Sequence, residues 1–103
     1  MASSKEYLEF ILEQLSLANV TYKPMMGEYI LYAEGKVIGG IYDDRFLIKP
    51  TPSAMRMIPD APLALPYVGA KEMILMDNLE DKEFLAHLIL EVASDLPSSK
   101  KRK

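Results

Sequence analysis

The chain has 103 residues, half of them hydrophobic and about a quarter charged, which is room for one domain with one core. It has no cysteine, so disulfides, thiolate metal sites and cysteine nucleophiles are excluded. The formal charge of −3 hides an asymmetry: Lys100 to Lys103 hold four of the twelve basic residues, leaving eight basic against fifteen acidic groups in residues 1–99, a net of −7. An acidic body repels phosphate and counts against direct nucleic-acid binding by the domain.

Residues 1–17 are interrupted by Lys5, Glu6, Glu9 and Glu13, so no signal-peptide core is expected there, and no apolar run approaches a membrane span. Cytoplasm is the natural compartment on this reading. Ser3 with Glu6 suggests a capping box, and Leu8, Ile11, Leu12 and Leu15 then form the apolar stripe of a first helix. Asn19 suits its left-handed end.

Residues 20–49 read as an antiparallel meander. "VTYKPM" carries Pro24, which belongs at an edge or a bulge. "YILYA" and "KVIGGIY" flank the tight turn Glu34-Gly35, and Asp43-Asp44 suits a second turn before "RFLIK". Gly39-Gly40 inside a strand marks a bulge or a close approach, by a packed helix or a partner's strand in preference to a ligand. Thr51-Pro52 starts a short helix over "SAMRMI", which Pro59 stops. "PDAPLALPY" is expected to be an extended connection and "EMILM" one more strand. The last helix is capped by Asp77 or Asn78, buries Leu85, Leu88, Ile89 and Val92, and ends at Pro97. The expected fold is α+β: an antiparallel meander flanked by N- and C-terminal amphipathic helices, one domain over 1–97, followed by a disordered basic tail over 98–103.

Candidate chemistry is sparse. His87 lies on one helical face with Glu83 and Glu91, but without the His-Glu-x-x-His pattern a solvated face is the better reading than a metal stripe. Asp43 and Asp44 read as turn formers and not as a catalytic pair. "IGGI" lacks the lysine and following helix of a phosphate loop. No catalytic residue, cofactor or metal site is therefore expected. The strands "YILYA" and "RFLI" are apolar on both alternating faces, and two helices can cover only one. A loop or a protein partner, a second copy included, must cover the other.

The densest part of the chain resembles the TfoX (Sxy) N-terminal domain family. The likeness is carried by Met25-Met26-Gly27, Tyr29, Tyr32, Gly35-Lys36, Asp43-Asp44-Arg45 and a strand ending in Lys49. Met26, Glu28 and Ile30 stand where that family has an aromatic residue and two glycines. The resemblance implies an α+β fold similar to type III secretion chaperones. Longer members of that family regulate competence genes together with a catabolite-activator-type transcription factor. On this basis Met25, Met26, Gly27, Tyr29, Leu31, Tyr32 and Lys49 are the expected partner contacts. The alternative is a small-molecule binder or enzyme with its pocket near Gly27, Gly39 and Gly40.

Overall fold

The computed structural model describes residues 3–77 and 79–96. Its elements in chain order are helix α1 (Lys5–Gln14), a 3-10 turn (Ser16–Ala18), strands β1 (Val20–Met25), β2 (Glu28–Ala33), β3 (Lys36–Ile41) and β4 (Phe46–Ile48), helix α2 (Pro52–Met57), strands β5 (Leu63–Ala64) and β6 (Met73–Leu75), and helix α3 (Lys82–Asp95). The strands form one antiparallel sheet in the order β1-β2-β3-β4-β6-β5. The α+β class and the meander stand as expected. The connection after Pro59 is less plain than expected, since Leu63 and Ala64 add a sixth strand beside β6.

Three two-residue turns shape the meander, and each has positive φ at both positions: Met26-Gly27 (52° and 88°), Glu34-Gly35 (54° and 77°) and Asp43-Asp44 (55° and 56°). That backbone matches the right-handed twist of the flanking strands and fixes which residues pair. Met25 pairs with Glu28, so the bond-exchanging pair beside the turn leaves the nitrogen of Pro24, one residue back, on the free edge of β1. Proline there costs the ladder nothing and withholds a donor from edge-to-edge association.

Strand alternation then sorts the side chains. Tyr29, Leu31 and Ala33 of β2, Ile41 of β3, Phe46 and Ile48 of β4 and Ile74 of β6 turn to the helices. A bulge adds one residue to β3: Leu31 pairs with Gly39 but Tyr32 pairs with Val37. The extra residue, Ile38, thereby joins Ile41 in the core instead of pointing away. Leu8, Ile11 and Leu15 from the first helical segment and Leu85, Leu88, Ile89 and Val92 from α3 close this side, each essentially solvent-free.

The helix caps hold two surprises. The Tyr7 N–H donates to Ser4 Oγ at 3.1 Å, so the cap is Ser4 and not Ser3. Ser3 instead ties two hairpin tips together: its hydroxyl donates to Glu28 Oε1 at 2.6 Å and accepts from the Asp44 N–H at 3.0 Å, while its own N–H donates to the Gly27 carbonyl. In α3 the cap is Asp81, whose Oδ1 accepts from the Phe84 N–H at 3.1 Å; Asp77 is not the cap. Asn78, Pro97 and the basic tail lie outside the described residues. Asn19 does end the first helical segment in the left-handed region, and Thr51 caps α2 with Pro52 following, both as expected. Lys36 Nζ donates to the Ala93 carbonyl near the C-terminal end of α3, where the helix dipole favours a cation.

The close approach at Gly39 is internal. A Cβ there would sit 2.1 Å from the Leu47 carbonyl oxygen and 2.8 Å from the Ile48 Cα, both in the neighbouring strand β4. Neither a helix nor a partner's strand makes the contact. Gly39→Ala should cost about 3 kcal/mol, measured by urea unfolding, because rigid backbone has to move. A second test concerns Asp95, which accepts from the Ser53 N–H at 2.7 Å and from the Ser53 hydroxyl at 3.0 Å and so ties α3 to the start of α2. The Ser53 N–H, foremost, holds the Asp95 carboxyl below its ordinary value. A depressed carboxylate stabilises the fold above its unfolded pKa, and that contribution disappears as pH falls through the folded value. Asp95→Asn should therefore lower Tm at pH 7, and the melting curves of the two proteins should converge in acid below the depressed pKa.

Candidate functional site

The face of the sheet turned away from the helices carries Met25 from β1, Glu28, Ile30 and Tyr32 from β2, Tyr42 just after β3, Leu47 and Lys49 in and after β4, and Met73 and Leu75 from β6. Leu47 is 0% exposed although it lies outside the helix-side core, so something covers it from this face. The cover is the segment 65–72. Arg45 holds it down, its Nη2 donating to the Leu65 carbonyl at 3.0 Å, and Tyr67 leans on Tyr42 with ring centroids 6.2 Å apart.

The cover is partial, and two hollows flank it. A narrow one of about 310 Å³ is lined by Met25, Met26, Glu28, Ile30, Tyr42, Pro66 and Tyr67. A wider one of about 560 Å³ runs past the same Tyr42, Pro66 and Tyr67 to Val37, Gly39, Lys49, Lys71, Glu72 and Leu96. The two hollows share Tyr42, Pro66 and Tyr67 and lie side by side on the open face as the halves of one grooved surface, with the Tyr42–Tyr67 pair between them. Burial lifts the Tyr42 phenol above its ordinary value, and nearby Tyr67 and Glu28 push it the same way, so it is a neutral hydroxyl at physiological pH. A further hollow, at Leu17 and residues 80–83, is shallow and ringed by charges of both signs.

The rim of the narrow hollow is apolar and bare. Met26 is 97% exposed and Val68 96% exposed, and Met25, Leu65 and Tyr67 are exposed beside them. Met26 breaks two local rules at once. It is a large apolar side chain in water, and at φ 52° it occupies a conformation that favours glycine or asparagine. Nothing about folding asks for methionine there, and locally unfavourable choices of this kind mark functional positions.

The structure divides the expected contact residues into three groups. Met25, Met26 and Lys49 line the groove. Gly27 completes the turn below Met26, and Tyr32 shares the open face, half-buried, without lining either hollow. Leu31 and Tyr29 are corrections. Leu31 is buried in the helix-side core, and Tyr29 packs against that core with its ring edge-on to Tyr22, 5.8 Å between centroids. Alternation from Met25 through the turn places both on the wrong face. Glu28, Ile30, Tyr42, Pro66, Tyr67 and Lys71 were not singled out. Tyrosine and valine side by side in a Pro/Gly-punctuated loop, "LPYVG", were the available signal.

Asp43 and Asp44 form the expected turn, with Tyr42 and Arg45 exchanging backbone bonds across it at 2.9 and 3.0 Å. His87 is exposed on α3, and no cluster of three or more metal-ligating side chains occurs among the described residues. No helix of the described residues is long and apolar enough to cross a membrane.

Two substitutions separate surface from core. Met26→Asn should stabilise the domain by about 0.5–1 kcal/mol, because asparagine tolerates the left-handed turn. Leu31→Ala should cost about 2–5 kcal/mol. Chemical denaturation checks both, and equal effects would contradict the assignment of faces.

No model of a known protein family matches the chain, and no solved structure matches it. A curated relative does: an uncharacterized 12.7 kDa protein in the trpE 5′ region of Spirochaeta aurantia, 33% identical over 105 residues. The alignment takes in 100% of this chain and 91% of the relative. This chain belongs to the same family as that spirochaete protein.

Proposed function

We propose that the protein is a small, non-enzymatic protein–protein interaction module that works in the cytoplasm without a cofactor, and that the groove on the open face of its sheet is the contact surface. The observation that carries this reading is Met26, an exposed apolar side chain in a left-handed turn at the rim of an apolar hollow. Methionine adapts its shape to a partner at little cost, and Tyr67 offers a large amphipathic surface beside it. Supporting the absence of catalysis is the inventory of the groove: among the described residues Glu28, Lys49, Lys71 and Glu72 are its charged ones, with no histidine or serine nucleophile in the lining. The residues that resemble the TfoX N-terminal domain include Met25, Met26 and Lys49, three of the groove's own, which extends the proposal to a role in transcriptional or competence regulation through a protein partner and not through DNA.

A photo-crosslinking residue placed at Tyr67 in the full chain, in the source cells, should give a discrete adduct, with a second copy of the chain or with another protein. The same residue at His87, on α3, should give none. Equal adducts at both positions, or none at either, would contradict the reading.

One observation favours a second reading, a small-molecule binder: both hollows fall in the volume range of ligand sites, and the wider one reaches Gly39. A metabolite held there at about a hundred times its Kd would raise Tm by about 10 °C. A flat response across a metabolite panel would remove that reading.

A further inference from the structure

The two halves of the groove differ in charge, and that difference describes the occupant. The narrow half is walled by Met25, Met26, Ile30 and Tyr67, with Glu28 as its one charge among the described residues. Among the described residues the wider half carries Lys49 and Lys71 against the carboxylate of Glu72. Positive charge there runs against the body of the protein over residues 1–99, which has a net charge of −7. Arg45, Lys36 and Lys82 have structural partners: Arg45 holds the Leu65 carbonyl, Lys36 the Ala93 carbonyl, and Lys82 the Glu13 carboxylate at 2.9 Å. Lys49 and Lys71 face a cavity instead.

Distance selects the shape. Ile30 pairs with Gly40, which pairs with Leu47, two residues before Lys49. Two strand spacings across and two residues along separate Ile30 from Lys49 by about 12 Å, or three to four residues of extended chain. An extended segment spans that distance with one side chain in each hollow, three or four positions apart.

We propose that the groove takes an extended acidic segment of a partner protein, with one large apolar side chain in the hollow beside Met26 and Tyr67 and an Asp or Glu carboxylate three or four residues away against Lys49 and Lys71. The proposal rests on the interaction reading above and adds the chemistry of the partner. Apolar anchoring supplies affinity, and the lysine pair sets direction and selectivity.

The test is a random dodecapeptide phage library panned on the immobilised full chain, followed by fluorescence anisotropy with the most enriched peptide, fluorescein-labelled. Enriched sequences should pair a large apolar residue with an Asp or Glu three or four positions away. Lys49→Glu combined with Lys71→Glu should weaken binding about tenfold or more, Tyr67→Ala similarly, and Lys5→Glu on α1 should have no effect. Raising salt from about 50 to about 500 mM should weaken the wild type and, by screening the introduced repulsion, strengthen the doubly reversed variant. Unchanged thermal melting of each variant shows that the fold is intact. Enrichment without acidic residues, binding indifferent to the lysine reversals, or no enrichment at all would overturn the assignment. Should crosslinking at Tyr67 still succeed in that case, the interaction reading survives and only the acidic partner falls; failure of both removes both.

Discussion

Strand register is the constraint on which the rest of this structure depends. A side chain in a strand belongs to one face or the other, and a slip of one residue exchanges the two sets. Here three two-residue turns, all with positive φ at both positions, pin the pairing of four strands. The bulge at Ile38 makes one deliberate exception, turning an extra isoleucine into the core. With register fixed, β2 alone sends Leu31 to the helices and Ile30 to the groove.

The second constraint is the backbone contact at Gly39. Because β4 passes within a Cβ's reach of β3, the sheet is drawn tight at its centre, next to Leu47. Leu47 is then shielded from the open side by the segment that Arg45 anchors. That segment is too short to cover the whole face. It leaves an apolar groove at the β1–β2 end and a lysine-bearing one at the other, so the incomplete cover is what makes a site. The N-terminal clip at Ser3, joining the tips of the β1–β2 and β3–β4 hairpins, holds the rim bearing Met26 in a fixed position.

Much of the fold was legible because it rests on local signals. Turn residues, apolar spacing and the Thr51-Pro52 start each act over a few positions, and the α+β class, the meander, α2 and β6 follow from them. The misreadings are equally physical. Ser3 looks like a cap by type, but its hydroxyl is taken by Glu28 and Asp44, partners more than twenty residues away, and the neighbouring Ser4 caps instead. Asp77 precedes the last helix too early, because Leu79 and Glu80 are still outside any helix and it is Asp81 that captures the Phe84 N–H. Met26-Gly27 was visible as a motif but not as a turn, since methionine is a poor choice for positive φ. For the site, Met25, Met26 and Lys49 could be chosen from sequence, whereas Leu31 could not be rejected: both faces of β2 are apolar, and only pairing says which one the helices cover. Tyr67 and Pro66 reach the groove through tertiary contact with Tyr42 and Arg45, which no periodicity encodes.

The methionine methyl groups offer the most direct check on the claim that the open face of the sheet is the contact surface. Met25, Met26 and Met73 lie on that side, while Met55 and Met57 belong to α2 and Met76 to the helix-side core. Methyl NMR spectra of the full chain recorded with and without the selected peptide should show the first three resonances shifting and the other three holding still. Shifts confined to Met55, Met57 and Met76, or none at saturating peptide, would contradict the account.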